Sequence, residues 1–481
     1  MQAAPTPQAR SLKSYREYHP PLKPFSLEDG CGVVMAQAAV EDEEGNGMHR
    51  RATPGSSREI WAWALYDFAN SPFTTLVVTF IYATYFTQAV PGGVEHGTVL
   101  WSRGVTLTGL AVAVLSPVLG ALADRGGFRK LFLAAATAVC VGATAGLYWI
   151  EPADVVLALG CFVVANVAFE TAEVFYNAFL PDIAPPDRIG RVSGVGWGLG
   201  YAGGLAALVL ALVALVQPET PWLGFSKEGA ENIRATNLIV AAWFVIFSLP
   251  IFLLVREDKS RITRQGSVTR EAFRQLRDTF VEIRRYREIV RLLVARLFYN
   301  DGLITVFAFG GIYAAGTFGF TFEEILVFGI VLNVAAGIGA FALGYVDDWI
   351  GGKRTIAISL WGLMLASALA VLAPTKALFW VAGILVGIFA GPNQSASRSL
   401  LGRLVPPDKE NEFYGFFAFS GKATAFAGPF LLGVLTQLFG SQRAGVSVVV
   451  VLLAAGYLLL RGVDEKAGIA AAGRPGPAIA A

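Results

Sequence analysis

Between Trp61 and residue 461 the chain carries twelve apolar stretches, each long enough to cross a hydrocarbon layer about 30 Å thick. A polypeptide with that pattern has few options, because lipid offers no partner for backbone N–H and C=O groups. Crossings of this length must therefore be helices that satisfy their own hydrogen bonds. The stretches run at about 61–88, 99–123, 129–150, 154–180, 193–216 and 236–255, then at about 290–315, 323–347, 354–373, 376–399, 413–438 and 443–461. Charged residues make up 15% of the chain, against about 25% in soluble domains, so most of the surface faces lipid. The expectation is an all-α membrane protein of twelve transmembrane helices in two pseudo-symmetric six-helix bundles.

The connections set the organisation. Residues 1–60 are poor in apolar side chains and read as a disordered cytoplasmic tail. Residues 61–255 form a first six-helix bundle and 290–463 a second, with a further disordered tail over 464–481. The connection at 256–289 carries ten Lys or Arg residues from Arg256 to Arg287, a charge that holds a loop in the cytoplasm. An even number of crossings then puts both termini on the same side, in a plasma membrane of bacterial type. Within this loop Phe273, Leu276, Phe280, Ile283 and Tyr286 recur at helical spacing among arginines. They read as a helix on the membrane surface or as a solvated linker.

Two internal repeats tie the halves together. Gly120, Asp124, Arg125, Gly127, Arg129 and Lys130 follow segment 2; Gly344, Asp348, Gly351, Lys353 and Arg354 follow segment 8, 224 residues later, with Trp349 in place of Arg125. Pro185-Pro186-Asp187-Arg188 joins segments 4 and 5, and Pro406-Pro407-Asp408-Lys409 joins segments 10 and 11, at an offset of 221. Duplicated loops between apolar helices indicate a transporter built from related halves. The glycine–acid–cation loops fit a cytoplasmic gate, in which Asp124 meets a cation or the positive N-terminus of a neighbouring helix. Topology control by positive charge alone is the alternative. Trp349 makes the second copy the weaker lock on this reading.

The twelve segments and the doubled loop resemble the major facilitator superfamily over about residues 61–463. The Trp63–Ser71 run (WALYDFANS) resembles the vacuolar effluxer-like branch, related to the autophagy-associated amino-acid effluxers. So do Tyr299-Asn300-Asp301-Gly302, the Gly310–Gly316 run and Gln394–Ser399. The resemblance implies alternating access around a central cavity lined by segments 1, 4, 7 and 10, and more weakly implies amino-acid efflux. Segment 4 lacks the arginine that many proton-coupled relatives carry there, so their coupling scheme does not transfer.

Ionisable groups inside a bilayer cost roughly 2.5–3.5 kcal/mol each on insertion scales, so they seldom face lipid. The centres of segments 3, 6, 9 and 12 carry none. In segment 4, Asn166, Glu170, Glu173 and Asn177 share one helical face, and two carboxylates one turn apart call for a proton or a cationic partner. They suit a cationic substrate group or proton coupling, or an acid pair neutralised to fix packing. In segment 1, Asp67, Asn70 and Ser71 precede Pro72, whose break frees a backbone carbonyl for a ligand. Asp67 reads equally as a cap or an ion-pair member. Asn300 and Asp301 are candidates in segment 7, whereas Arg296 reaches for the cytoplasm. Lys422 needs a counter-ion from Asp301, Glu170 or Glu173, and Asn393 and Gln394 add hydrogen-bonding groups in segment 10. Arg398 either attracts a carboxylate or snorkels to the inner surface. Asn333 is a further polar position in segment 8. Glycines at 196, 200 and 204 predict a smooth contact between moving halves.

A transporter of a small polar solute, such as an amino acid, follows, with the lipid bilayer and protons as its other partners. A lipid flippase or a membrane sensor is the alternative. An enzyme is disfavoured: His19, His49 and His96 lie outside the segments and no metal triad or nucleophile elbow is present. No cofactor is implied. The net charge of +2, dispersed in loops, gives no nucleic-acid surface.

Overall fold

The computed structural model describes residues 55–151, 154–257, 268–281 and 284–474. Its helices are α1 (Ser57–Pro72), a π-helical stretch Phe73–Phe80, α2 (Tyr82–Ala89), α3 (Gly93–Gly126), α4 (Arg129–Gly146), α5 (Val155–Ala178), α6 (Leu180–Ile183), α7 (Ile189–Ala211) and α8 (Glu231–Leu254). After the basic connection come α9 (Val268–Val281), α10 (Arg287–Phe318), α11 (Phe322–Ile350), α12 (Gly352–Leu372), α13 (Lys376–Leu404), α14 (Glu410–Lys422), α15 (Ala427–Phe439), α16 (Gln442–Arg461) and α17 (Glu465–Ala472). Among the described residues ten helices are long and apolar enough to cross a membrane. The expected first and third crossings fall on 57–89, which the π-helical stretch interrupts, and on Arg129–Gly146, which has 18 residues.

Local chemistry sets several boundaries. Ser56 and Glu59 form a reciprocal cap at the start of α1, and Thr321 and Glu324 repeat it at α11. Gly127 and Gly351 hold the same place in the two copies of the repeated loop, and both have positive φ, +62° and +93°. That left-handed turn, which side chains disfavour, is the reason a glycine stands there.

Pro72 removes a donor from α1, and the carbonyl it would have bonded is that of Phe68. The expectation that this carbonyl serves a ligand is not met: the Trp243 indole N–H of α8 donates to it at 3.0 Å. Trp243→Phe is therefore expected to lower stability by about 1–3 kcal/mol, the cost of an unsatisfied buried acceptor. In a Pro72→Ala background the same substitution should be nearly silent, and thermal unfolding of the purified protein measures both.

The apolar core divides with the chain. One cluster draws only on residues 62–255; another draws on 286–469, with Val174 and Ala178 of α5 reaching into it. The halves meet chiefly along α3 against α14 and α7 against α11. The glycine expectation needs correction here. Gly196 and Gly200 pack on Asp67 and Ser71 of α1, and Gly204 on Thr75 of the π-helical stretch that follows, within one half. The neighbouring ridge, Gly190, Gly194 and Gly198, meets Asp347, Ala340 and Gly337 of α11. Both ridges recur every four residues, and sequence spacing alone does not say which faces the other half.

Two expectations about connections also change. Residues 465–472, expected as part of a disordered tail, form α17, whose Gly468, Ile469 and Ala472 are buried. Helix α9 exists, yet it buries Glu271, Ala272, Gln275 and Thr279 while Phe273 is exposed. Gln275 donates to Glu412 at 2.5 Å and Lys409 to Thr279 at 2.9 Å, so α9 lies on the start of α14. Tyr286 packs on Phe413, and Ile283 lies outside the described residues.

Candidate functional site

A cavity of about 360 Å³ lies between the halves, lined from α1, α5 and α7 on one side and α10, α11, α13 and α14 on the other. Among the expected site residues, Asp67, Asn70, Glu170, Glu173, Asn177, Asn300, Gln394 and Lys422 line it, as do Asn333, Arg296 and Arg398. Lys422 bonds Glu170 at 2.6 Å, an ion pair that crosses from one half to the other and keeps both side chains partly open to the cavity. Asn70 donates to Glu173 at 2.5 Å, and Asn177 donates to its other oxygen at 3.4 Å. Gln394 donates to Asn300 at 3.1 Å, and Asn300 donates to the Gly421 carbonyl.

Arg398 does not snorkel. It is 2% exposed and extends from α13 into the other half, where it bonds Asp67 at 3.0 Å, the Asn177 side-chain oxygen at 3.1 Å and the Ser193 hydroxyl and carbonyl at 2.9 and 2.7 Å. Trp63, Tyr176 and Trp197 surround its guanidinium. A Cβ on Gly196 would collide with the Asp67 carboxylate and crowd Arg398, so the missing side chain makes room for the ion pair. Arg296 stays inside as well: it donates to the Phe417 carbonyl at 2.8 Å and to Ser420 at 3.0 Å, and stacks on the Phe417 ring. With carbonyl, hydroxyl and aromatic partners in direct contact on neighbouring helices, neither arginine has reason to stretch toward water.

Three expected site residues stand apart from the lining. Asn166 is buried on α5, one turn beyond Glu170. Asn393 is fully buried, with neither side-chain polar atom hydrogen-bonded. Asp301 accepts from the Gly428 N–H at 2.9 Å, and its second oxygen has no partner. It sits where α14 gives way to α15, facing its own half and not the cavity.

At the end bearing the basic connection, the two repeats meet crosswise. Asp124 accepts from the backbone N–H groups of Asn411 and Glu412 at 3.1 and 2.8 Å, and from the Asn411 side chain at 2.6 Å. Asp348 accepts from the N–H groups of Gly190 and Arg191 at 2.7 and 3.2 Å, and from the Arg191 side chain at 2.8 Å. Each acid thus caps the helix that follows the Pro-Pro-Asp loop of the opposite half, where donors and helix dipole both favour a negative charge. Gly120 and Gly344 permit the approach, because a Cβ on either would press against the backbone at Asn411 or Gly190. Arg129 adds an ion pair across the halves to Glu410 at 2.6 Å and another within its own to Asp182 at 2.8 Å.

The other loop cations act differently. Lys130 and Lys353 bond carbonyls of their own half, Val255 for the first and Arg461 and Val463 for the second. Arg125 lies beside Glu412, its Nε without a partner, and Arg354 is exposed. Trp349 points outward at 67% exposure, and Arg191 of the opposite half supplies a cation to Asp348 at 2.8 Å. Arg403, which aligns with Asp182 at the 221-residue offset, bonds Asp347 at 2.6 Å.

Helices of this order around a charged cavity, closed at one end by duplicated acid caps, define a multi-pass membrane transporter of the major facilitator type, not an enzyme. Residues 98–473 match the family described as vacuole effluxer Atg22 like, and the chain belongs to it. YxiO of Bacillus subtilis, an MFS-type transporter, is 29% identical over 408 residues, covering 84% of this chain and 94% of its own. Autophagy-related protein 22-1 of Neosartorya fischeri is 25% identical over 303 residues and 58% of this chain, which spans about half (48%) of that relative's length. Among solved structures, the E. coli fucose:proton symporter FucP matches with a TM-score of 0.65 at 15% identity, over 85% of this chain and 98% of its own. A bacterial homologue of the iron transporter ferroportin in an outward-facing state matches at 0.62 and 13%, over 87% and 99%.

Proposed function

We propose that the chain carries a small zwitterionic solute of the amino-acid class by alternating access, with protons as the coupling ion, in a bacterial plasma membrane. On this reading the chain crosses twelve times with both termini and the gate in the cytoplasm, and the acid caps close that side. One observation carries the reading: the Glu170–Lys422 pair joins the halves inside the cavity and remains accessible. A zwitterion replaces that pair with two of its own, ammonium to Glu170 and carboxylate to Lys422. The lost contact and the new ones then differ between the open and closed states, which is what a ligand needs to shift them. The family's description as vacuole effluxers supports efflux as the direction.

The pairing of charges supports the proton. Asp67 pairs with Arg398 and Glu170 with Lys422, while Arg296 donates to the Phe417 carbonyl and Ser420, so Glu173 has no ion-pair partner where an unpaired charge is costly. Glu173 is the one held only by amides, and is the proposed proton seat. In proteoliposomes, Glu173→Gln is expected to keep exchange of labelled amino acid for unlabelled while losing accumulation under a proton gradient by about tenfold or more, one pH unit of driving force being about 1.4 kcal/mol. Glu170→Gln is expected to lose both, with folded protein recovered in normal amount. Gradient-driven accumulation surviving in Glu173→Gln would remove the proton assignment. Inert wild-type protein toward every amino acid tested would remove the cargo.

A further inference from the structure

A second hollow, of about 540 Å³, lies on the end that carries the basic connection, outside the cavity and the acid caps. The start of α10, the α11–α12 turn, the end of α16 and the turn into α17 enclose it. Its lining holds Arg287, Arg291, Lys353, Arg354, Arg461 and Lys466 against two acids, Asp464 and Glu465.

The acids are spoken for. Buried Glu465 accepts from the N–H groups of Gly352 and Lys353, both at 3.0 Å, and faces Arg403. Asp464 caps α17 through the Ala467 N–H at 3.0 Å. Glu288, beneath the hollow, takes Arg287, Arg291 and the Asp464 N–H. Lys353 fixes the α16–α17 corner by donating to the Arg461 and Val463 carbonyls. Among the described residues no carboxylate pairs with Arg354, Arg461 or Lys466, and all three are exposed. Controlling topology needs positive charge on this side; it does not need that charge folded into a concave site with the acids turned away.

The surroundings identify the ligand. Apolar surface adjoins the hollow: Trp349 is 67% exposed at the end of α11, and Leu458 and Leu459 are exposed one turn before Arg461. Tryptophan at such a place marks the level of lipid headgroups. A phosphate with acyl chains satisfies both the cations and the greasy rim; a free phosphate satisfies only the first. We propose that this hollow seats the headgroup phosphate of an anionic phospholipid at the cytoplasmic leaflet, with Arg354, Arg461 and Lys466 as its principal partners.

The test uses the full chain purified in detergent, with bound lipid counted by native mass spectrometry. Phosphatidylglycerol is expected to be retained at least tenfold better than phosphatidylcholine, and retention should weaken as salt rises. Arg461→Gln/Lys466→Gln, with an unchanged unfolding midpoint, should lose that preference. Should this variant unfold, the single Lys466→Glu substitution is expected to reduce phosphatidylglycerol retention by itself. Equal retention of the two lipids, or an intact preference in a folded variant, overturns the proposal. So does inorganic phosphate that abolishes lipid retention at low millimolar concentration, since the site would then be one for a soluble anion.

Discussion

Arg398→Met is expected to abolish transport and to remove most folded protein, whereas Asp67→Asn/Arg398→Met restores the folded protein and leaves transport absent. The argument starts from burial. Arg398 is enclosed on every side, and its guanidinium is the ion-pair partner of Asp67. Without it, Asp67 is a buried charge with no counter-ion, a defect of about 3–5 kcal/mol and comparable with the margin by which many proteins stay folded. Neutralising Asp67 as well removes the uncompensated charge, because an apolar chain beside a neutral amide is a tolerable interior. Transport does not return, because Arg398 also binds Asn177 and both Ser193 oxygens from the opposite half, and no methionine replaces those bonds. Fluorescence-detected size-exclusion chromatography measures the first effect and uptake by proteoliposomes the second. Normal uptake by Arg398→Met would show that the pair is dispensable for both.

The same residue shows what was legible in the chain beforehand. That segments 1, 4, 7 and 11 hold the buried charges, with Arg398 near the end of segment 10, was plain, because a bilayer sorts charge away from lipid and leaves a readable pattern. The face of α5 carrying Glu170, Glu173 and Asn177 was equally plain from helical spacing. Which partner each charge takes was not. Lys422 had three candidate acids, and only the packing of α14 against α5 selects Glu170. Arg398 and Asn177 occupy equivalent places in the two halves, and this offset was a signal that they face each other across the pseudo-twofold; helix-end position suggested snorkelling instead. Asp301 was misplaced for a related reason. A carboxylate in a cavity-lining helix still has a side facing its own bundle, and Asp301 lies on that side at the α14–α15 break. The short helix α17 was missed because its sequence is alanine- and glycine-rich, while its stability comes from docking, through Glu465 and Gly468, onto residues far away in the chain.

The acid caps give the remaining large effect. Asp124→Ala and Asp348→Ala are each expected to open the basic end, and the double substitution is expected to open it further than either. Each acid binds two backbone N–H groups and one side chain on the N-terminus of a helix in the other half. Those donors lie in the first turn, where no intrahelical acceptor exists and water takes over once the halves part. Each cap is thus a contact of the closed state alone, and its removal shifts the balance by its differential energy. A shift of about 1–3 kcal/mol multiplies the open population by roughly 5–150. The two sites share no residue, so their effects should multiply. Ala418, in the cavity lining, reports the change when replaced by cysteine in a chain whose three native cysteines are alanine. Its reaction with an impermeant maleimide applied from the basic end should quicken in the order wild type, either single variant, double variant. Conservative Asp→Asn substitutions should fall between wild type and alanine, because an amide oxygen still accepts from the helix but brings no charge to its dipole. If all rates stayed at the wild-type value while Arg129→Gln raised them, closure would rest on the Arg129–Glu410 ion pair and not on the duplicated acids.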